Sequence, residues 1–246
     1  MDNIVNYIFS FLAVLIIIPA HEFAHGYAAY KLGDNTAKNL GRLTLNPLKH
    51  FDIIGTLCLV LFHFGWAKPV PINARNFKKP KRDFALTAMA GPLLNLLLAF
   101  ISTFFILLSY ALVKDVSFKS EFLLSAISNL ILFISIFTSI NIGLAIFNLI
   151  PIPPLDGSRI LHVILPAKTY FGIMKHENKI YWIFIGWLFL GKYISDILLS
   201  FPFISANPIL SAIAGFLNLS NLLSVLISYV YMAMLNFWQL IPFLKI

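Results

Sequence analysis

Long apolar stretches separated by short polar segments dominate this chain. A helix that crosses a bilayer needs about 20 mostly apolar residues, and five stretches reach that length. They cover residues 5–30, 84–113, 122–149, 180–200 and 221–244. The pattern predicts an all-α polytopic membrane protein with about five to six transmembrane helices.

Two further apolar stretches are not simple spans. Residues 53–65 are too short to cross, and irregular backbone at membrane depth is tolerated only where it is buried in protein or lines a wet cavity. Their β-branched and aromatic residues, bounded by glycines, favour a short re-entrant segment of β type over a buried half-helix. Residues 201–219 contain Pro202 and Pro208, and a loop, a re-entrant piece and part of another span all remain open there.

Composition supports the membrane assignment. The 246 residues are 59% hydrophobic and 11% charged, whereas a soluble domain is about a quarter charged and just under half apolar. The apolar surplus exceeds what one core can bury, so most of it must face lipid. The single cysteine, Cys58, excludes an intramolecular disulfide and a four-cysteine zinc site. Any metal must therefore be held by histidines and carboxylates.

The charge distribution predicts how the chain sits in the membrane. The formal net charge is +8, and the basic residues crowd into residues 31–49, 68–82 and 159–179. Cytoplasmic loops of membrane proteins are rich in Lys and Arg. If residues 53–65 enter and leave on one side, all three basic stretches face the cytoplasm and the N-terminus lies outside. We expect a multi-pass cell-membrane protein and no nucleic-acid partner, since no soluble module carries these charges.

The first apolar helix contains a metal-binding motif. Residues 21–26 read HEFAHG, so His21 and His25 lie one helical turn apart on one face and both imidazoles can bind one ion. Glu22 lies about 100° round the helix from His21, where it can take a proton from a metal-activated water without being a ligand. Ionisable residues inside a membrane helix indicate function. The alternative is a polar cluster that packs the bundle interior.

A tetrahedral zinc site needs a third protein ligand besides two histidines and water. Asp156 is the best candidate, because it follows a proline-rich break of the helix and precedes Gly157. A Pro-Pro-x-Asp-Gly run is also typical of a surface turn. His162, His63 and His50 are weaker alternatives. Zinc suits such ligands, and iron or manganese would fit similar donors.

A third group of residues interrupts the second long apolar stretch, where residues 90–95 read AGPLLN. A Gly-Pro pair within a span frees backbone groups that a neighbour or water must satisfy. Asn95 would then lie one turn further on, facing the interior. A kinked, tightly packed helix is the equally favoured alternative.

Taken together, HEFAHG, GRLTLNPLKHFD from residue 41, WAKPVPIN from residue 66, AGPLLN and FNLIPIPPLDGSR from residue 147 resemble the site-2 protease family (peptidase family M50). The resemblance covers about residues 17–161 and is strongest to the compact prokaryotic branch, which has no PDZ or CBS domain. It implies a single membrane protease domain over residues 1–246. The catalytic core would cover about residues 1–165, and residues 166–246 would add C-terminal helices.

The resemblance also implies roles for individual residues. His21, His25 and Asp156 would bind one Zn²⁺ ion and Glu22 would be the general base. Asn148 would lie near the substrate, and Asn95 would contact the substrate or the oxyanion. The activity implied is zinc-dependent cleavage of other membrane proteins within or near their transmembrane segments.

Two other functions compete with the protease. A membrane metal transporter would also bury His and Asp, but it would need polar residues along a path across the bilayer, and the outer halves of these helices offer few. A non-catalytic scaffold would have lost Glu22 or a ligand, and this chain retains all of them. The protease is therefore favoured.

Overall fold

A computed structural model gives the fold of residues 2–52, 55, 67–113 and 120–245. In chain order its α-helices are α1 (Asp2–Lys31), α2 (Thr36–Asn39), α3 (Pro80–Val113), α4 (Glu121–Leu149), α5 (Asp156–Ile164), α6 (Ala167–Met174), α7 (Glu177–Leu199), α8 (Pro202–Ser205), α9 (Pro208–Phe216) and α10 (Leu219–Trp238). Short 3-10 turns lie at Pro47–Lys49, Ala74–Asn76 and Pro242–Leu244. The described residues contain no β-strand, only one antiparallel bridge between Phe51 and Ala67.

Five of these helices, α1, α3, α4, α7 and α10, are long and apolar enough to cross a membrane. The predicted all-α polytopic fold is therefore confirmed. Residues 201–219, which the sequence left open, form α8, α9 and the start of α10, and neither α8 nor α9 is long enough to span. The re-entrant segment predicted at 53–65 lies, apart from Gly55, outside the described residues.

Helix α3 is the central element, since it packs against α1, α4, α5 and α10. Small side chains such as Ala99 and Ala145 are fully buried and allow the helices to approach closely. Buried hydroxyls bond to their own helix: Thr138 Oγ1 donates to the Ile134 carbonyl oxygen at 2.8 Å. The outward faces are apolar, as at Phe122, which is 83% exposed, and suit lipid.

The C-terminal helices are tied to this bundle by tryptophans. The Trp238 indole N–H at the end of α10 donates to the Phe100 carbonyl oxygen of α3 at 2.9 Å. The Trp187 indole N–H of α7 donates to the Leu217 carbonyl oxygen, also at 2.9 Å. Each indole donor is therefore paired, and the two bonds tie α10 to α3 and α7 to the turn that precedes α10.

One buried carboxylate joins the start of α2 to residues 73–76. Asp34 accepts hydrogen bonds from the Thr36 backbone N–H at 3.0 Å, the Asn73 backbone N–H at 2.7 Å and the Asn76 side-chain amide at 2.7 Å. Burial alone would raise the pKa of Asp34, but these hydrogen bonds outweigh it and hold that pKa below its ordinary value. The segment that includes Asn73 is thereby fixed beside the C-terminal end of α1.

Candidate metal centre and active-site cleft

The two histidines of the HEFAHG motif meet inside the bundle. Their 3.6-residue periodicity on α1 places His21 and His25 on one face, and each is only 5% exposed. The two Nε2 atoms lie 3.0 Å apart. Both rings therefore direct a nitrogen at the same point, as a metal site requires.

Asp156 reaches that point from a distant part of the chain. It is the first residue of α5 and follows a proline-rich turn with a cis peptide bond between Pro153 and Pro154. Its Oδ2 lies 3.2 Å from His21 Nε2 and 3.1 Å from His25 Nε2. Burial alone would raise the pKa of Asp156, but the two neighbouring histidines outweigh it and hold that pKa well below its ordinary value. The Asp156 side chain is thus an anionic metal ligand candidate beside two imidazoles.

The next residue explains how the turn comes so close. A Cβ added to Gly157 would lie 2.3 Å from the Leu149 carbonyl oxygen, well inside van der Waals contact. The start of α5 therefore packs directly on the end of α4, an approach that only glycine permits. This contact places Asp156 opposite α1.

The three side chains fit a zinc ion. A tetrahedral zinc with His and carboxylate ligands at about 2.0–2.2 Å has its ligand atoms about 3.3–3.6 Å apart, and the three separations here, 3.0, 3.1 and 3.2 Å, come within a few tenths of an ångström of that range. His21, His25 and Asp156 form the candidate metal group within the described residues. Two neutral imidazoles and one carboxylate form a donor set that suits zinc and leaves one position open for water.

Helix α3 orients the His25 ring. His25 Nδ1–H donates to the Thr87 carbonyl oxygen at 2.7 Å, and because a carbonyl only accepts, this bond leaves the Nε2 lone pair facing the metal position. His21 Nδ1 is buried and has no hydrogen-bond partner within the described chain. The site therefore depends on α3 as well as on α1 and α5.

Gly91 brings α3 against both imidazoles. A Cβ at this position would lie 2.4 Å from His25 Nε2 and 2.7 Å from His21 Nε2. Any side chain there would enter the space that the ligand atoms occupy. The sequence indicated a kink or tight packing at Gly91 and Pro92, and the structure adds that the close contact is with the ligand rings themselves.

Glu22 lies beside this group but is not part of it. It is half-buried and lines the same cavity as His25 and Asp156. Its Oε2 accepts a hydrogen bond from the Val70 backbone N–H at 2.7 Å. Pro69 and Pro71 have no N–H of their own, so Val70 presents the single donor of this Pro-Val-Pro segment. The other carboxylate oxygen has no partner among the described residues.

The cavity in front of the metal group has a volume of about 540 Å³. Apart from Glu22, His25, Asp156 and Arg159, the described residues that line it are apolar and come from residues 69–74, α3 and the turn before α5. Hydrogen bonds fix the first of these walls: the Lys68 backbone N–H donates to the His50 carbonyl oxygen at 2.7 Å, and Arg42 Nη2 donates to the Lys68 carbonyl oxygen at 2.7 Å. The cleft is apolar and has its charged groups at the metal end.

The two asparagines singled out from the sequence lie away from this cavity. Asn95 is fully buried, and neither of its amide atoms has a partner within the described residues. Asn148 is half-buried and its Nδ2 donates to the Leu144 carbonyl oxygen of its own helix at 3.0 Å. Neither belongs to the described lining of the cleft, and their substrate contacts stay predictions.

The alternative metal ligands also lie elsewhere, as far as the structure describes them. His50 is fully buried and donates through Nε2 to the Thr44 carbonyl oxygen at 2.7 Å. His162 stacks on Tyr170 with ring centroids 4.3 Å apart. His63 lies outside the described residues. The sequence reasoning did not identify Val70, Thr87 or Arg159 as site residues; of these, only the flanking prolines of Val70 gave a signal.

Comparisons with known proteins point to one family of peptidases. The model of peptidase family M50 matches residues 9–191. The chain is 41% identical over 202 residues to "Putative zinc metalloprotease YwhC" of Bacillus subtilis (strain 168), an alignment that covers 79% of this chain and 89% of the relative.

Two further relatives are more distant. "Zinc metalloprotease MJ0392" of Methanocaldococcus jannaschii is 27% identical over 216 residues, 88% of this chain and 49% of the relative. "Putative zinc metalloprotease Rip2" of Mycolicibacterium smegmatis is 30% identical over 102 residues, 37% of this chain and 39% of the relative. No solved structure matches.

Proposed function

The chain belongs to peptidase family M50 and is a multi-pass membrane zinc metalloendopeptidase, and from that premise we propose that it cleaves within the membrane. Its substrates are other membrane proteins, which it hydrolyses within or near a transmembrane segment. The observation that carries this proposal is the meeting of His21, His25 and Asp156 beside Glu22, in a cleft among helices that span the bilayer.

We assign the roles as follows. His21, His25 and Asp156 hold the zinc, Glu22 is the general base, and Asn148 and Asn95 contact the substrate or the developing oxyanion. The converging ligand atoms support the first assignment, and the position of Glu22 next to, but outside, the ligand group supports the second. The asparagine roles rest on the family resemblance.

A zinc ion held by His21, His25 and Asp156 would supply Lewis acidity, which would lower the pKa of a water molecule and polarise the scissile carbonyl. Glu22 accepts the proton of the attacking water through the carboxylate oxygen that Val70 leaves free, and then delivers this proton to the leaving amine. The Val70 N–H holds the other oxygen in place, so the base does not rotate away from the attacking water. Asp156 keeps its negative charge throughout as a ligand.

The apolar cleft also supports the proposed class of substrate. An intact transmembrane helix hides its carbonyls in its own hydrogen bonds, so the segment must unwind before hydrolysis. The apolar walls from residues 69–74 and α3 suit an unwound apolar segment, and the polar groups at the metal end supply the chemistry. Helix-weakening residues in the substrate therefore promote cleavage.

The orientation proposed from the charge pattern places the active site towards the cytoplasm in the cell membrane, with the N-terminus outside. The metal group lies in the C-terminal third of α1 and at the start of α5, next to the basic stretches. Fusions of alkaline phosphatase and of a fluorescent protein at residues 114–119 and after residue 166 test this. Phosphatase activity only at the first site supports the orientation, and the reverse result contradicts it.

Purified wild-type protein in detergent tests the function itself. Zinc content is measured together with cleavage of a panel of single-span helices that carry a helix-weakening residue at different depths, and mass spectrometry locates each cut. Glu22→Gln removes the base. Glu121→Gln is the matched control, because Glu121 lies exposed at the start of α4.

The expected outcome is about one zinc per chain in all three proteins, with cuts inside the span by wild type and Glu121→Gln only. If every helix stays intact in the presence of bound zinc, the scaffold or transporter function gains support. If Glu22→Gln cuts as fast as wild type, Glu22 is not the base.

A further inference from the structure

Arg159 is a charged residue in the catalytic cleft to which the mechanism above gives no role. It lies on α5 one turn after Asp156 and is half-buried. It lines the same cavity as Glu22 and His25. It is also the one cation among the described residues of that lining.

An aromatic ring holds the guanidinium in position. Its central carbon lies over the Phe84 ring of α3, 5.1 Å from the ring centroid, within the range of a cation–π interaction. A ring face accepts no conventional hydrogen bond, so this contact positions the group while most of its five N–H donors stay available. The N–H groups of Arg159 therefore remain available to a bound molecule.

No acceptor within the described residues takes these donors. The Arg159 guanidinium makes no hydrogen bond and no ion pair with the described residues, whereas that of Arg82 pairs with Asp83 at 2.7 Å. Neither carboxylate of the cleft forms an ion pair with Arg159: Asp156 faces the histidines, and one oxygen of Glu22 accepts from Val70. A guanidinium between apolar walls with its donors unmet is suited to an anionic partner.

The balance of charges in the cleft also indicates an anionic partner for Arg159. Zinc carries two positive charges, which the carboxylates of Asp156 and Glu22 balance. Arg159 is then the remaining charge in the cleft, and a single negative charge on the bound segment would neutralise it. Arginine binds carboxylates through two parallel hydrogen bonds, so an acidic side chain fits both the charge and the shape.

We propose that Arg159 is a specificity-determining residue that binds the carboxylate of an Asp or Glu side chain in the substrate. This rests on the proposed function. Residues three apart on a helix have their Cβ atoms about 5–6 Å apart, and an extended substrate advances about 3.3 Å per residue. The acidic residue therefore lies within about three residues of the cleaved bond.

The test uses one cleaved single-span substrate in which Glu or Gln is placed in turn at each of the three positions on either side of the cut. Wild type, Arg159→Gln, Arg159→Lys and Arg159→Glu are compared. Arg75→Gln is the control, because Arg75 is exposed and outside the described lining. Zinc content is measured for every variant to show that the metal site is intact.

At one position we expect wild type and Arg75→Gln to favour Glu over Gln by about 10- to 100-fold in kcat/KM. Arg159→Gln should cut both substrates at one similar, lower rate, and Arg159→Lys should recover part of the preference. Arg159→Glu should instead prefer a substrate with Lys at that position. If Arg159 only supported the fold, a change of its charge would not reverse the preference between acidic and basic substrates.

Three outcomes distinguish a failure of the Arg159 proposal from a failure of the proposed function. If wild type cuts but ignores Glu and Gln at every position, the inference is overturned and the proposed function stands. If Arg159→Gln slows all substrates equally, without a change in preference, Arg159 contacts the substrate main chain or supports the fold and the inference is again overturned. If zinc-loaded wild type cuts none of the helices, the proposed function fails and the inference fails with it.

Discussion

Replacing Gly91 by alanine is the sharpest test of the metal centre, because it perturbs the ligands without touching them chemically. The added Cβ would lie 2.4 Å from His25 Nε2, 2.6 Å from His21 Cε1 and 2.7 Å from His21 Nε2. Ordinary contact begins at 3.4 Å, so the nearest nitrogen must move by about 1 Å or α3 must retreat. Both movements open the ligand group.

The expected loss follows from how narrow metal geometry is. Ligand distances in a zinc site are held to about 0.2 Å, so a displacement of about 1 Å removes at least one imidazole from the ion. Changes in residues that only support a ligand already lower metal affinity about 10- to 100-fold. We therefore expect Gly91→Ala to weaken zinc binding by at least about 100-fold.

Zinc titration of the metal-free protein followed by thermal unfolding measures this loss. At a zinc concentration of about 100 times the wild-type Kd, binding stabilises the folded state by about 2.7 kcal/mol, and a variant with a 100-fold higher Kd would gain only about 0.4 kcal/mol. Gly186→Ala is the control, since Gly186 lies within α7 and nothing lies within 4 Å of an added Cβ there. It should bind zinc like wild type.

One result would refute the reasoning. If Gly91→Ala binds zinc with wild-type affinity while remaining folded, the imidazole nitrogens of His21 and His25 are not the ligands that this geometry implies. A loss of zinc by both glycine variants would instead point to general damage of the bundle and would leave the ligand assignment without support.

Three further changes probe the surroundings of the site. Val70→Pro removes the N–H that donates to Glu22 and should lower kcat about tenfold or more at unchanged zinc content; Val70→Thr keeps the N–H, and equal loss in both variants would contradict a positioning role. Gly157→Ala places a Cβ 2.3 Å from the Leu149 carbonyl oxygen, so thermal unfolding should show a loss of about 1–3 kcal/mol together with weaker zinc binding, and an unchanged zinc affinity would argue against Asp156 as a ligand. Asp34→Asn should lower the free energy of unfolding by about 1–3 kcal/mol at pH 7. Because the folded pKa of Asp34 lies below its ordinary value of 3.8, this contribution is present above pH 3.8 and is lost as the pH falls through the folded pKa; a wild-type-minus-variant difference that does not shrink on acidification would contradict it.

Much of the fold could be predicted from hydropathy because the thickness of the bilayer dictates the length of each span. The five predicted spans coincide with α1, α3, α4, α7 and α10 to within a few residues, except that α10 ends six residues before its predicted end. Helix α3 starts four residues before the predicted residue 84, because Asp83 accepts a hydrogen bond from the Lys79 backbone N–H at 2.9 Å and so supports a polar first turn. Hydropathy cannot detect such a turn.

The sequence by itself determined the local part of the site. The spacing of His21, Glu22 and His25 dictates, through the period of the helix, that both imidazoles share a face and that the carboxylate stands beside it. Apolar flanks placed this motif in the membrane, where ionisable groups are retained for function. These conclusions depend only on residues that are close in sequence and lie on one helix.

The tertiary structure decided which candidate joins the two histidines and which backbone groups surround them. Asp156 joins His25 across 131 residues of chain, the Gly91 backbone meets both rings, and a backbone N–H of Val70 holds Glu22. The last of these uses a group that every residue except proline carries, so the valine itself gives no signal and only its flanking prolines do. Packing between α1, α3 and α5 sets these distances. The order of residues in a sequence shows the periodicity of each helix, but it does not show how closely one helix approaches another.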